Sequence, residues 1–182
     1  MQVLLDYDQT LTLIGKGRSA YVFRIQQSNK AIKIFYPNYV HIAMEEANIY
    51  RKIQHIPYFP SLTEAGSNYL VIDYIEGETF FECLTKGISI SEDHVKEVDR
   101  ALRLARQEGL NPSDIHLRNI FLTSDKEIKI IDVARFRQNK TCRQWGDLKR
   151  AFHRFYKKRY FPKKIPEFIL NTIAGLYKKL LL

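Results

Sequence analysis

An α+β fold in two lobes, a small antiparallel-sheet lobe ahead of a compact helical lobe, is the architecture this sequence predicts. Three observations predict it. Between residues 11 and 35 three short apolar runs alternate with turn residues, the pattern of strands joined by hairpins. Beyond residue 77 the periodicity is mainly helical, broken by one further pair of short apolar runs. At 182 residues, 45% hydrophobic and 27% charged, the chain suits one globular domain whose lobes share a sizeable core. We expect a single domain over 1–182, with the lobes meeting near residue 76.

Composition excludes little else. No uninterrupted apolar stretch is long enough to span a bilayer. The start, from Met1 to Asp6, lacks the basic flank and small-residue cleavage site of a secretory leader. Cys83 and Cys142 have no metal-like spacing and read as reduced thiols, so a cytoplasmic location is expected. The net charge of +9 favours an anionic partner without choosing among nucleotide, RNA, acidic protein and membrane surface. Much of the excess lies late, in Arg150, Arg154, Lys157, Lys158, Arg159, Lys163, Lys164, Lys178 and Lys179; a solvated helix face would read the same way.

In the first lobe, residues 11–14 read as a strand, 15–20 as a turn and 21–25 as a returning strand. Gly15 and Gly17 would let backbone N–H groups approach phosphate oxygens with no side chain between, although an ordinary hairpin has the same pattern. Residues 31–35 form a third strand with Lys33 among apolar neighbours, one hairpin after the glycines. From about 38 to 54 the pattern is helical, with Ile42, Ile49 and Ile53 on one face. Glu46 is placed to pair with Lys33, because Ile49, Tyr50 and Ile53 follow at three, four and seven residues; Glu45 is expected to face solvent. Pro57 and Pro60 close the helix, and residues 69–75 form the next strand, ending at Glu76-Gly77.

In the second lobe, Ser91 is an N-cap for a helix running to about Glu108, with Gly109 as its stop and Val95, Val98, Leu102 and Ala105 as core. Asp114 then stands five positions before Asn119. An apolar run at 120–122, a turn at 123–126 and a second run at 130–133 follow, the second containing Asp132. Paired as strands, these runs would gather Asp114, Asn119 and Asp132 at one end of a hairpin. Phosphoryl transfer from ATP needs such a group: a carboxylate to orient the hydroxyl, and an amide and a carboxylate to hold Mg²⁺. A surface hairpin with polar caps is the alternative. Trp145 begins another helix carrying Phe152, Phe155 and Tyr156, expected in the core, and Pro166 suits the first turn of a last helix through Leu182. That helix reads either as packed or as lying amphipathically on a surface, with packing the commoner case.

Taken in order, these residues resemble the protein kinase fold. Ile14-Gly15-Lys16-Gly17 through Ser19 and Val22 is similar to the Gly-rich loop, and Ala31-Ile32-Lys33 to the strand bearing the ATP-binding lysine. Glu46 resembles its helix partner, and Asp73-Tyr74-Ile75-Glu76-Gly77 resembles the hinge. Asp114 with Asn119 resembles the catalytic loop and Asp132 the metal-binding aspartate, at the spacing protein kinases use. The resemblance covers roughly residues 11–152 and implies a bilobal fold with a truncated helical lobe. Ile131-Asp132-Val133 and the glycine segment look most like RIO-type atypical kinases; residues 147–152 are similar to the C-terminal helix of the small kinase associated with tRNA threonylcarbamoylation.

The resemblance implies nucleotide contacts from Ile14, Gly15, Lys16, Gly17, Ser19, Val22, Ala31, Lys33, Glu46, Asp73 and Ile75. It implies catalysis by Asp114, Lys33 and Asn119, and Mg²⁺ or Mn²⁺ on Asn119 and Asp132. An acceptor protein is expected, with a Ser/Thr kinase of RIO-like type as the activity, autophosphorylating or switching on ATP hydrolysis. Departures qualify the acceptor. Pro112-Ser113 stands where many kinases have His-Arg, Val133-Ala134 replaces Phe-Gly, and His116 takes the usual Lys position. Only fifteen positions separate Asp132 from Asp147, leaving no long peptide platform. A small-molecule kinase, or a nucleotide-gated binding module using the basic C-terminal face, are the competing readings.

Overall fold

The structure is a computed structural model and describes residues 8–140 and 142–180. The expectations for the first six residues and for the end of the last helix beyond residue 180 lie outside the described residues. So do the side chains of Lys178 and Leu180.

Five strands form the first sheet: β1 (Leu11–Lys16), β2 (Ala20–Ile25), β3 (Lys30–Phe35), β4 (Leu62–Ala65) and β5 (Tyr69–Asp73). Their order is β1-β2-β3-β5-β4 and every pairing is antiparallel. The first hairpin is tighter than its sequence suggests. Lys16 pairs with Tyr21 and the Gly17 N–H donates to Ala20 O at 2.9 Å, so the glycines sit at the end of the ladder and the open turn is only 17–19. A bulge between Leu13 and Gly15 turns Leu13 and Ile14 outward.

Helix α1 (Val40–Ile53) follows a 3-10 turn at Pro37–Tyr39 and packs across β3, β4 and β5. Its buried face is Ala43, Glu46, Ala47, Ile49, Tyr50 and Ile53, while Glu45 is exposed as expected. Burying four aliphatic side chains and a tyrosine on one stripe holds a carboxylate in the interior with them.

Strand β5 stops at Asp73, two residues short of expectation. The Asp73 carboxylate accepts from Lys30 Nζ at 2.7 Å and Ser61 N at 2.8 Å, and Tyr74 N–H turns to Asn29 O at 3.0 Å. Gly77 then starts β6 (Gly77–Thr79), where a Cβ would lie 2.5 Å from Leu122 O. Three elements escaped the sequence reading: β4, β6 and helix α2 (Phe80–Lys86). The first two have few residues and no alternation, and α2 opens on a Thr79–Glu82 capping box that was there to be read.

β6 pairs with β7 (Ile120–Thr123), and β7 with β8 (Ile128–Ile130), in a second antiparallel sheet. Helix α3 (Glu92–Gln107) is capped by Ser91, ends before Gly109 at φ 70°, and buries Val95, Val98, Leu102 and Ala105 as predicted. Helices α4 (Gln144–Ala151) and α5 (Glu167–Leu180) complete the fold. Between them Phe152–Tyr156 is a single π turn. Its wider winding separates the aromatics: Tyr156 is buried and stacked on Phe152 at 5.4 Å, but Phe155 is exposed, against expectation. Helix α5 is also less packed than expected: among its described side chains only Leu170 is buried. One cluster of buried side chains nonetheless runs from Ala20 to Leu170 through both sheets. The whole is α+β in two lobes, as predicted.

Candidate active site

The site is built where α1, β3 and the ends of β7 and β8 meet. Lys33 stands opposite Val22 and Leu70 in the middle strand of the first sheet, so neighbours on both sides fix its direction. Its Nζ lies 2.7 Å from Glu46 Oε2 and 2.9 Å from Asp132 Oδ1, joining a strand, a helix and the second lobe at one atom. Glu46 is 1% exposed, Lys33 12% and Asp132 47%. The pair is therefore sealed on one side and open to solvent on the other.

Electrostatics follow from that gradient. Burial works against the Lys33 ammonium, but Glu46 and Asp132 together outweigh it and hold the pKa above the ordinary lysine range. Burial raises Glu46, with the Asp132 charge adding to it, against the pull of Lys33. Asp132 is pushed up by burial, yet Lys33, His116 and Arg135 together bring it below the usual carboxylate range. An ionised Asp132 facing solvent beside a fixed ammonium is the result.

The Asp114 loop is shaped by what flanks it. Ser113 and Ile115 are buried, and the Ser113 hydroxyl donates to Asn111 O at 3.0 Å, so Asp114 between them faces outward. Asp114 and Asp132 both adopt left-handed backbone, at φ 62° and 60°. Aspartate tolerates that region at a cost of about 1–2 kcal/mol, which the surrounding bonds must meet. This is also why the second apolar run leaves the ladder at Ile130 rather than continuing through Asp132. Asn119 ties the two aspartates together: its Nδ2 donates to Asp114 O at 3.1 Å, and Ile131 N–H donates to Asn119 O at 3.0 Å. Its Oδ1 is thereby turned the other way. Arg118 N–H donates to His116 Nδ1 at 3.3 Å.

Lys33, Glu46 and Asp132 are thus in direct contact, while Asn119 is bonded to Asp114 and, through Ile131 N–H, to the backbone next to Asp132. Asp73 is not among them, since its carboxylate is committed to Lys30 and Ser61. Ala31 is buried beside Lys33 in the central strand and Val22 lies across the ladder from Lys33, while Ile14 and Ser19 lie at the hairpin end. Two residues were missed. Arg135 Nε approaches Asp114 Oδ2 at 3.5 Å, and the Tyr50 hydroxyl is buried without a partner beside the Asp132 backbone. In the sequence Tyr50 reads only as an anchor of its helix turn, and nothing sets Arg135, three residues beyond Asp132, apart from its polar surroundings.

Among the described residues no three His, Cys, Asp or Glu side chains converge as a metal cluster. One carboxylate and one amide oxygen suit a hard cation that takes its remaining ligands from phosphates and water, as Mg²⁺ does. The donor set fits that ion.

No protein-family model matches the chain. A Bacillus subtilis (strain 168) protein named "Putative serine/threonine-protein kinase YrzF" is 54% identical over 176 residues, covering 96% of this chain and 82% of that protein. A "RAC family serine/threonine-protein kinase homolog" of Dictyostelium discoideum is 27% identical over 142 residues, 68% of this chain and 32% of the relative. A "Putative ribosomal protein S6 kinase alpha-1" of Caenorhabditis elegans is 34% identical over 95 residues, 48% of this chain and 12% of the relative.

Proposed function

The chain belongs to the serine/threonine-protein kinase-like family, and from that premise we propose an ATP- and Mg²⁺-dependent phosphotransferase, a protein Ser/Thr kinase of RIO-like type. The observation that carries this reading is Lys33 Nζ between Glu46 and Asp132, 2.7 and 2.9 Å away across the two lobes. A buried glutamate holding a lysine extended beside an open aspartate is a phosphate clamp with its countercharge in place.

In this reading Lys33 meets the inner phosphates, and Glu46 keeps its stem extended. The Gly17 N–H is already taken by Ala20 O. The turn N–H groups of Arg18 and Ser19, which donate to no main-chain carbonyl among the described residues, cover the outer phosphates instead. Main-chain groups beyond Asp73, at Ile75, meet the base. Asp132 and Asn119 Oδ1 hold Mg²⁺, which neutralises charge developing on the transferred phosphoryl group. Asp114 orients the acceptor hydroxyl and takes its proton, with Arg135 steadying the carboxylate. The lobes act as one domain, and a cytoplasmic setting goes with reduced cysteines.

The missing peptide platform and His116 favour small-molecule acceptors as a second reading; self-phosphorylation or an ATPase switch would need no platform either. Incubation with Mg²⁺-ATP followed by mass spectrometry separates these, by locating phosphate on the chain, on added protein, on a metabolite, or free. Asp132→Ala is expected to abolish nucleotide turnover while leaving the circular dichroism spectrum unchanged. Turnover of ATP by that variant at the wild-type rate overturns the mechanism.

A further inference from the structure

The phosphate site uses none of the C-terminal surface, and that surface is unusual in two ways. Large apolar side chains are exposed at ten positions among the described residues, and six of them follow residue 150: Phe155, Tyr160, Phe168, Ile169, Ile173 and Leu176. Scattered exposure would spread them along the chain; here they concentrate in its last fifth. Residues 151–166, which lead into α5, carry six Lys or Arg and no Asp or Glu. Lys157 is paired with Glu92 and Lys163 is bonded to Tyr156 O, but Lys158, Arg159 and Lys164 are exposed and form no ion pair among the described residues.

Helix α5 is fixed in orientation. Leu170 is buried, Tyr177 donates to Asp147 at 2.5 Å, and Arg118 donates to Asn171 Oδ1 at 3.0 Å. At about 100° per residue, Ile169, Ile173 and Leu176 fall within an arc of roughly 60° on a side that these anchors leave outward. The helix thus presents an apolar strip to solvent directly after a strongly cationic connection.

We infer that this surface docks on an anionic lipid bilayer, with the α5 strip set at the boundary between headgroups and acyl chains and Lys158, Arg159 and Lys164 on the headgroups. Charge and apolarity together choose the occupant. RNA would be drawn by the cations but would leave the Ile and Leu strip wet. A second copy meeting this face symmetrically would set two cationic connections against each other. Among the described residues no helix is long and apolar enough to cross a membrane, so α5 is placed along the surface.

The test is co-sedimentation of the full chain with vesicles of phosphatidylcholine alone or mixed with phosphatidylglycerol. Binding is expected only to the mixed vesicles and is expected to fall as salt rises. Lys158→Gln and Arg159→Gln should each weaken it by about fivefold. Ile173→Asp with Leu176→Asp should abolish it while circular dichroism and melting stay unchanged, since both side chains are exposed. No binding at low salt overturns the inference. So does equal binding by the Asp double variant, retention on a labelled RNA oligonucleotide but not on vesicles, or a dimer in sedimentation that the Asp variant dissociates. The readout is independent of phosphotransfer, so its failure leaves the kinase reading intact.

Discussion

Lys33 and Glu46 form the kind of contact whose value depends on both partners staying. Glu46 is 1% exposed, so its charge is tolerated only because the ammonium lies 2.7 Å away. Lys33→Met removes that compensation and is expected to destabilise the fold by about 3–5 kcal/mol in urea titrations. Adding Glu46→Gln should recover much of the stability and none of the turnover, which separates the clamp's chemical role from its structural one. Tyr50 makes the opposite case. Burial, with the Glu46 and Asp132 charges, pushes its pKa well above the ordinary tyrosine value against a backbone contact with Asp132, and its hydroxyl makes no well-formed hydrogen bond. An unmet buried hydroxyl is a cost. Tyr50→Phe is therefore expected to leave stability unchanged or raise it by about 1 kcal/mol, as measured by denaturant midpoint. Neither effect could be foreseen from residue type alone, because lysine, glutamate and tyrosine are all common on solvated helix and strand faces.

Among the elements, α3 was the most legible and shows why. Its cap, apolar spacing and terminal glycine are local signals, and all three agree. The cap also carries a titration. Ser91 N–H donates to His94 Nδ1 at 3.2 Å, so the imidazole must be neutral there. Burial, with Lys126 adding to it, lowers the His94 pKa from 6.5 against the opposing effect of Asp93. A histidine with a depressed folded pKa contributes its stability above the unfolded value and loses it as pH falls through the folded one. Stability should therefore fall as pH drops from neutral through that window, as followed by denaturant midpoint against pH. His94→Gln, which keeps an acceptor without a titration, should flatten this part of the pH–stability curve. The elements that escaped notice, β4, β6 and α2, are short and make sense only against their partners: β6 is a strand because β7 is beside it. In the same way α5 has the periodicity of a packed helix but is held at only a few points, because nothing in its own pattern states how much of the apolar arc the body covers.

At the scale of the molecule, the two lobes are joined at the site itself, by Lys33 to Asp132, and behind it by Ile130 N–H to Tyr58 O at 2.8 Å. A ligand gripping both lobes should therefore stabilise the whole. Mg²⁺-ATP at 100 times its dissociation constant is expected to add about 2.7 kcal/mol, read as a rise in melting temperature. Asp132→Ala should show little of that rise, and an equal shift in both proteins would count against a metal–nucleotide site spanning the lobes. The sequence by itself determined the two-lobed α+β plan and its longer elements, and it singled out Lys33, Glu46, Asp114, Asn119 and Asp132 as candidates, because spacing along strands and helices is set by local geometry that the residues themselves impose. Apart from the Lys33–Glu46 pair, only the tertiary structure decided which side chains those five would meet. It spent Asp73 on Lys30, took Gly17 N–H into the hairpin, brought Arg135 to Asp114 and left one face of α5 in water, since contacts between residues far apart in the chain are settled by how much buried surface and charge each can satisfy together.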